Sequence, residues 1–149
     1  MKYLAYGANM DLEIMRSRCA DAKLLGTGVL EGFRLMFKGV EPNAYATIEE
    51  WQGYRVPYVL WEISEDDEAA LDDWEGYPLH YGKSVVEIEF GGEKFLAMFY
   101  QKPEKQPVGQ PMTHYVEVLE EAYERFKFDR EILDIALKLS NDYFQGKFV

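Results

Sequence analysis

The chain has 149 residues, 48% of them hydrophobic and 15% aromatic, so it is long enough for one core and too apolar to be disordered. Lys and Arg number 16 against 27 Asp and Glu, a net charge of −11. That balance disfavours sequence-independent nucleic-acid or anionic-membrane binding, which needs a basic surface, while leaving room for a local anion site.

Cys19 is the single cysteine, which rules out an intrachain disulfide and a zinc site built of several thiolates. A reducing, cytoplasmic setting is the expectation. The first residues are too few to form the apolar core of a signal peptide, and no run reaches transmembrane length. Nothing resembling a linker, repeat or low-complexity tract interrupts the chain, so residues 1–149 are expected to form a single domain.

In chain order, residues 1–5 alternate as a short strand, and residues 11–16 open a helix whose apolar stripe is Leu12, Met15 and Cys19. Between them, Tyr6-Gly7-Ala8-Asn9-Met10 makes a strand–glycine turn–helix junction. Converging N–H groups and a helix N-terminus at such a junction would suit a carboxylate, a phosphate or a developing oxyanion. A plain corner eased by Gly7 is the alternative. Val29-Leu30 and residues 33–37 read as strand among Gly26, Gly28 and Gly32, where bulges would curl a sheet. After a loop over residues 39–43, strands are expected at residues 44–48 and, beyond Gly53, at residues 54–63. Pro57 belongs at a strand start or an edge.

From Glu62 to Glu75 there are eight carboxylates and no basic residue, mostly the solvated face of a helix over residues 65–74. Ser64 caps its start and Gly76 its end. Leu71, Trp74 and Glu75 fall on one side, which aims Glu75 at apolar neighbours. Tyr77 to Gly82 is a loop, and residues 83–90 and 93–101 form a hairpin about Gly91-Gly92. Lys102 to Gln110 reads as a surface loop. Two amphipathic helices finish the chain, one carrying Met112, Val116, Leu119, Tyr123 and Phe126. The other carries Ile132, Ala136, Leu139 and Tyr143 behind a cap at Asp129.

The N-terminal Tyr6-Gly7-Ala8-Asn9-Met10, together with Leu71-Asp72-Asp73-Trp74-Glu75-Gly76-Tyr77, resembles the γ-glutamylcyclotransferase family and its AIG2-like members. Asn43 to Ile48, Val56 to Glu62 and Pro111 to Tyr115 add to the resemblance in the expected order. It implies an α+β fold, a small mixed, curled sheet or β-barrel flanked by helices. It also implies conversion of a γ-glutamyl amide or dipeptide to 5-oxoproline and a free amine, with no cofactor and no metal.

By that resemblance Glu75 is the catalytic acid/base, and Tyr6, Gly7, Ala8, Asn9, Met10 and Tyr115 bind the substrate, the loop gripping its carboxylate. Tyr81, in a loop rich in groups that line sites, is expected to join them. One carboxyl group can move both protons if its pKa is drawn toward neutrality. Desolvation and like charge from Asp72 and Asp73 are expected to do this for Glu75. Ala8 stands where many relatives have Ser, so the loop would have to work through its backbone. His80 and His114 are expected in surface or loop roles. The oligomeric state stays open. The remaining alternatives are an amidase acting on another γ-glutamylated metabolite, or a binding module with the same pocket and no turnover.

Overall fold

In a computed structural model that describes residues 1–40 and 44–144, five strands and four helices build one sheet with helices packed on it. β1 (Lys2–Ala5), β2 (Lys23–Lys38), β3 (Tyr45–Glu62), β4 (Gly82–Phe90) and β5 (Glu93–Gln101) lie in the order β2-β3-β1-β5-β4. β1 runs parallel to β5 and antiparallel to β3, so the sheet is mixed. It is open: β2 and β4 are its edges, and the barrel alternative is not formed. The helices are α1 (Leu12–Arg18), α2 (Glu65–Glu75), α3 (Thr113–Arg125) and α4 (Arg130–Phe144). The loop expected over residues 39–43 and the motif residue Asn43 fall largely outside the described residues.

β2 and β3 are longer than the sequence pattern indicates. Val29-Leu30 and residues 33–37 belong to one strand, and so do the two runs on either side of Gly53. Gly32 and residues 51–54 are an irregularity between the pairs Glu31↔Arg55 and Phe33↔Glu50, with positive φ at Gly32 (80°) and Gly53 (89°). A bulge with glycine in the left-handed region bends a strand without ending it, which punctuation in a sequence does not distinguish from a stop. Pro57 pairs opposite Val29, two residues past the last pairing of β3 with β1, where the sheet is only two strands wide. Its missing N–H therefore costs no ladder bond on that side.

The hairpin matches its sequence reading. Phe90 pairs with Glu93 across Gly91 (φ 61°) and Gly92 (φ 81°), the two positive values that a tight two-residue turn uses. Ile88 is buried with Val86 and Phe90 packed beside the core, while Val85 faces solvent.

α2 carries Glu75, and its ends are fixed by short-range chemistry. The Ser64 hydroxyl accepts from Asp67 N–H and the Asp67 carboxylate accepts from Ser64 N–H, a reciprocal cap. Asp67 is thereby buried, one acid of the run that is not a solvated charge. Leu71 is fully buried and anchors the helix. Gly76 ends it in the left-handed conformation (φ 64°), with Tyr77 N–H returning to Asp72 O. Cys19 closes α1 as a buried residue whose thiol is pushed up to about 11, by burial first and then by Asp67, so it stays protonated.

A Cβ on Gly76 would stand 2.4 Å from the His80 ring in a backbone region that L-residues avoid. Gly76→Ala is therefore expected to cost about 1–2 kcal/mol in urea unfolding. Gly91→Ala, with nothing within 4 Å, should show the φ penalty alone and lose less.

Candidate active site

β1 ends at Ala5, and the chain leaves the middle of the sheet directly into Tyr6 and Gly7. A 3₁₀ turn over Ala8–Met10 follows before α1 begins, so the glycine turn does not run straight into a helix. The turn's own bonds are Met10 N–H to Gly7 O and Asp11 N–H to Ala8 O, which leave the N–H groups of Ala8 and Asn9 unused by it. The N-terminus of α1 is already capped, because Asp11 Oδ1 accepts from Ile14 N–H at 2.9 Å. The α1 dipole is thus answered by Asp11, and any anion held at this corner is held by turn amides and neighbouring cations.

The corner opens into a cavity of about 760 Å³, within the range of about 300–1,000 Å³ usual for small-molecule sites. Gly7, Ala8 and Asn9, Glu75 and Gly76, and Tyr81 and Tyr115 all line it. The two motifs, far apart in the chain, therefore meet across one pocket. Met10 departs from expectation: it is fully buried in the core and does not line the cavity.

Asn9 joins the parts. Arg18 Nη1 donates to Asn9 Oδ1 at 2.8 Å, and Asn9 Nδ2 donates to Glu75 Oε1 at 3.2 Å and to the Tyr3 hydroxyl at 2.9 Å. The amide orientation is dictated by chemistry, since a guanidinium only donates and a carboxylate only accepts. Trp61 Nε1 holds the Asn9 carbonyl at 3.0 Å, fixing the backbone as well. Among the described residues nothing binds Glu75 Oε2, so one carboxylate oxygen is anchored and the other is open to a ligand.

Burial raises the pKa of the Glu75 carboxyl above its ordinary value. Arg18, the Asn9 hydrogen bond and Lys102 act against that rise. The like-charge contribution expected from Asp72 and Asp73 is not part of the balance. Asp72 is turned to the hairpin, bonded to Lys83 Nζ and to the Tyr100 hydroxyl at 2.6 Å. Trp74 is likewise not directed inward but 62% exposed at the rim, where the Arg18 guanidinium lies 4.4 Å from its ring centroid.

Tyr81 and Tyr115 grip one residue from two sides. Tyr81 donates to Ala46 O at 2.8 Å, and Tyr115 accepts from Ala46 N–H at 3.0 Å. Tyr115 therefore keeps its own proton to donate, and Tyr81 keeps lone pairs to accept. The hydroxyl of Tyr6 is spent on Tyr100 O at 2.6 Å, leaving its ring to form the wall. Burial first, with Glu75 adding to it, raises the pKa of all three, so each is a neutral hydroxyl at physiological pH. Gly7 passes close beneath Tyr115, where a Cβ would lie 3.3 Å from the hydroxyl.

Arg18, Lys102, Tyr3, His80 and His114 line the cavity without having been singled out as site residues. Arg18 reads in sequence as a dipole-matched helix end and Lys102 as part of a surface loop. The two histidines are exposed at the cavity wall, His80 in a loop and His114 on the first turn of α3, in keeping with the surface or loop placement expected of them.

A family model described as "Gamma-glutamyl cyclotransferase, AIG2-like" matches residues 3–133, and the chain belongs to that family. Among solved structures, a gamma-glutamyl cyclotransferase is similar at TM-score 0.80 and 20% identity, over 91% of this chain and 85% of that one. An uncharacterized protein from Homo sapiens is similar at TM-score 0.79 and 21% identity, again over 91% and 85%. YkqA from Bacillus subtilis is similar at TM-score 0.77 and 24% identity over 95% of this chain but 54% of its own, so this chain spans about half of YkqA. At such identities the structural likeness establishes the fold. No curated protein matches the chain. Family and fold together make it a gamma-glutamyl cyclotransferase-like enzyme.

Tyr115→Phe leaves Ala46 N–H without its acceptor and is expected to cost about 1–3 kcal/mol in denaturant unfolding. Tyr45→Phe, at the more exposed ring packed edge-on against Tyr115, should fall within about 0.5 kcal/mol of wild type.

Proposed function

We propose that the enzyme cyclises the γ-glutamyl group of a γ-glutamyl amide or dipeptide, releasing 5-oxoproline and a free amine or amino acid, with Glu75 carrying the protons. The observation that supports this reading is the half-anchored carboxyl. Glu75 sits in a desolvated pocket, one oxygen held by Asn9 and the other open, beside a turn with amides to spare.

The chemistry follows from what the reaction requires. The substrate's α-ammonium must lose a proton before its nitrogen can attack the γ-carbonyl carbon. That first proton goes to solvent. As the neutral amine attacks and the ring C–N bond forms, Glu75 Oε2 takes a second proton from its nitrogen, leaving the lactam N–H, and the γ-carbonyl oxygen becomes an oxyanion. The protonated Glu75 then gives its proton to the leaving nitrogen as the original C–N bond breaks, restoring the carboxylate. A carboxyl of raised pKa is suited to both steps because it neither holds nor releases the proton too strongly. Amide N–H groups of Gly7, Ala8 and Asn9 and the free proton of Tyr115 are the donors for the substrate carboxylate or the oxyanion. Curling the glutamyl chain in a fixed pocket contributes by proximity, since amine and carbonyl belong to one molecule. Ala8 has no hydroxyl to offer, which is compatible with a loop that acts through its backbone.

Two measurements test this reading. Glu75→Gln should lower 5-oxoproline release from γ-glutamyl dipeptides by about 10²–10⁴-fold with binding of 5-oxoproline retained. Activity equal to wild type would remove Glu75 from the mechanism, and 5-oxoproline binding without turnover in the wild type would favour the binding module.

The pH dependence has a definite sign. A base must be ionised to accept a proton, so kcat/KM falls as pH drops through the Glu75 pKa. Because burial raises that pKa, the acidic limb should lie above the ordinary carboxylate range. Arg18 opposes the rise, so Arg18→Gln should move the limb to higher pH in a kcat/KM profile.

A further inference from the structure

Two lysines among the described residues are almost fully buried, and they are treated differently. Lys38 forms an ion pair with Glu49 and donates to Glu104 O at 2.9 Å, so its charge is answered. Lys102 is 5% exposed and lines the cavity, and its ammonium donates to the neutral amide oxygen of Gln106 at 3.1 Å. The rings of Tyr81 and Tyr45 stand beside its ammonium at 5.2 and 5.5 Å, and among the described residues no carboxylate lies within ion-pair distance of it. Its position is not the accident of a floppy loop. Lys102 N–H donates to Thr47 Oγ1 at 2.8 Å, immediately after β5, and Tyr81 is tied to the neighbouring Ala46.

Burying an ammonium without a counter-charge is costly, and aromatic faces offset only part of that cost. Desolvation accordingly pulls the Lys102 pKa below its ordinary value, with Glu75 pulling the other way. A cation held at a pocket wall without a counter-charge is a charge that a ligand can complete.

Resting on the cyclotransferase reading, we infer that Lys102 is a specificity-determining residue whose ammonium pairs with the α-carboxylate of the glutamyl group, selecting substrates in which that carboxylate is free. The glutamyl head is the part common to every γ-glutamyl substrate, so it belongs against the enclosed wall of Lys102, Tyr81 and Tyr115. The variable leaving amine belongs at the open rim of Trp74. The turn amides of Gly7 to Asn9 then supply direction, and Lys102 supplies charge.

The test uses 5-oxoproline, which keeps the glutamyl carboxylate and carries no leaving amine, and its carboxamide, which is the same ring without the charge. Titration calorimetry with the intact wild-type protein should show preference for the acid over the amide by roughly 10- to 100-fold, the span of a charge-assisted hydrogen bond. Lys102→Met should bring the two within about threefold by weakening the acid and leaving the amide unchanged, and Lys102→Arg should restore part of the preference. Equal loss for acid and amide would make Lys102 a merely structural residue and overturn the inference. An undiminished preference in Lys102→Met would overturn it too, while leaving the cyclotransferase reading intact. Failure of the wild type to bind 5-oxoproline and to release it from any γ-glutamyl dipeptide would remove both.

Discussion

The site depends on one buried amide. Asn9 belongs to the turn after β1 and reaches the end of α2: its side-chain bonds run to Arg18, Tyr3 and Glu75 while its carbonyl is held by Trp61. Each partner has a fixed donor or acceptor character, so the amide cannot rotate without breaking two bonds at once. A carboxyl that must present one oxygen to a ligand needs the other tied down, and Asn9 is that tie. The sheet serves the same end: β1, at its centre, delivers the turn to a place where α2 and α3 can close over it.

Charge in this protein is arranged against its average. The surface is strongly acidic, yet the pocket wall carries Arg18 and Lys102, with Glu75 between their fields. The opposing influences on Glu75 have distinct sources. Burial disfavours the ionised carboxyl, and two cations and one hydrogen bond favour it, leaving a raised pKa that is held in check. An acid raised by burial alone would be a poor base, and one fully paired with Arg18 would be a poor acid. The indirect link through Asn9, rather than a direct ion pair, keeps the carboxyl between these limits.

Much of the fold was legible because its signals are local. The α2 boundaries were set by Ser64, Asp67 and Gly76, and the hairpin by Gly91-Gly92, each acting within a few residues of itself. The β2–β3 pair was misread as fragments because a glycine bulge and a strand end carry the same signature until the partner strand is known. At the site, Glu75, Tyr6, Gly7, Ala8, Asn9, Tyr81 and Tyr115 all line one pocket and Met10 does not, since a residue of a tight turn points inward or outward according to backbone angles that composition does not reveal. Lys102 was missed for a related reason: a lysine after a strand is ordinarily a solvated charge, and only tertiary packing buries it. Asp72 and Asp73 were misjudged because sequence proximity to Glu75 says nothing about the Lys83 and Tyr100 that claim Asp72.

The central claim is that Glu75 is a desolvated carboxyl steadied by Asn9, and side-chain carboxyl titration by carbon NMR, with Glu75→Gln used for assignment, measures it directly. The account predicts that the Glu75 resonance titrates above those of the exposed glutamates, and that it moves higher again when Asn9→Ala removes the hydrogen bond. A Glu75 that titrated with the surface carboxylates, or that was indifferent to Asn9→Ala, would contradict it.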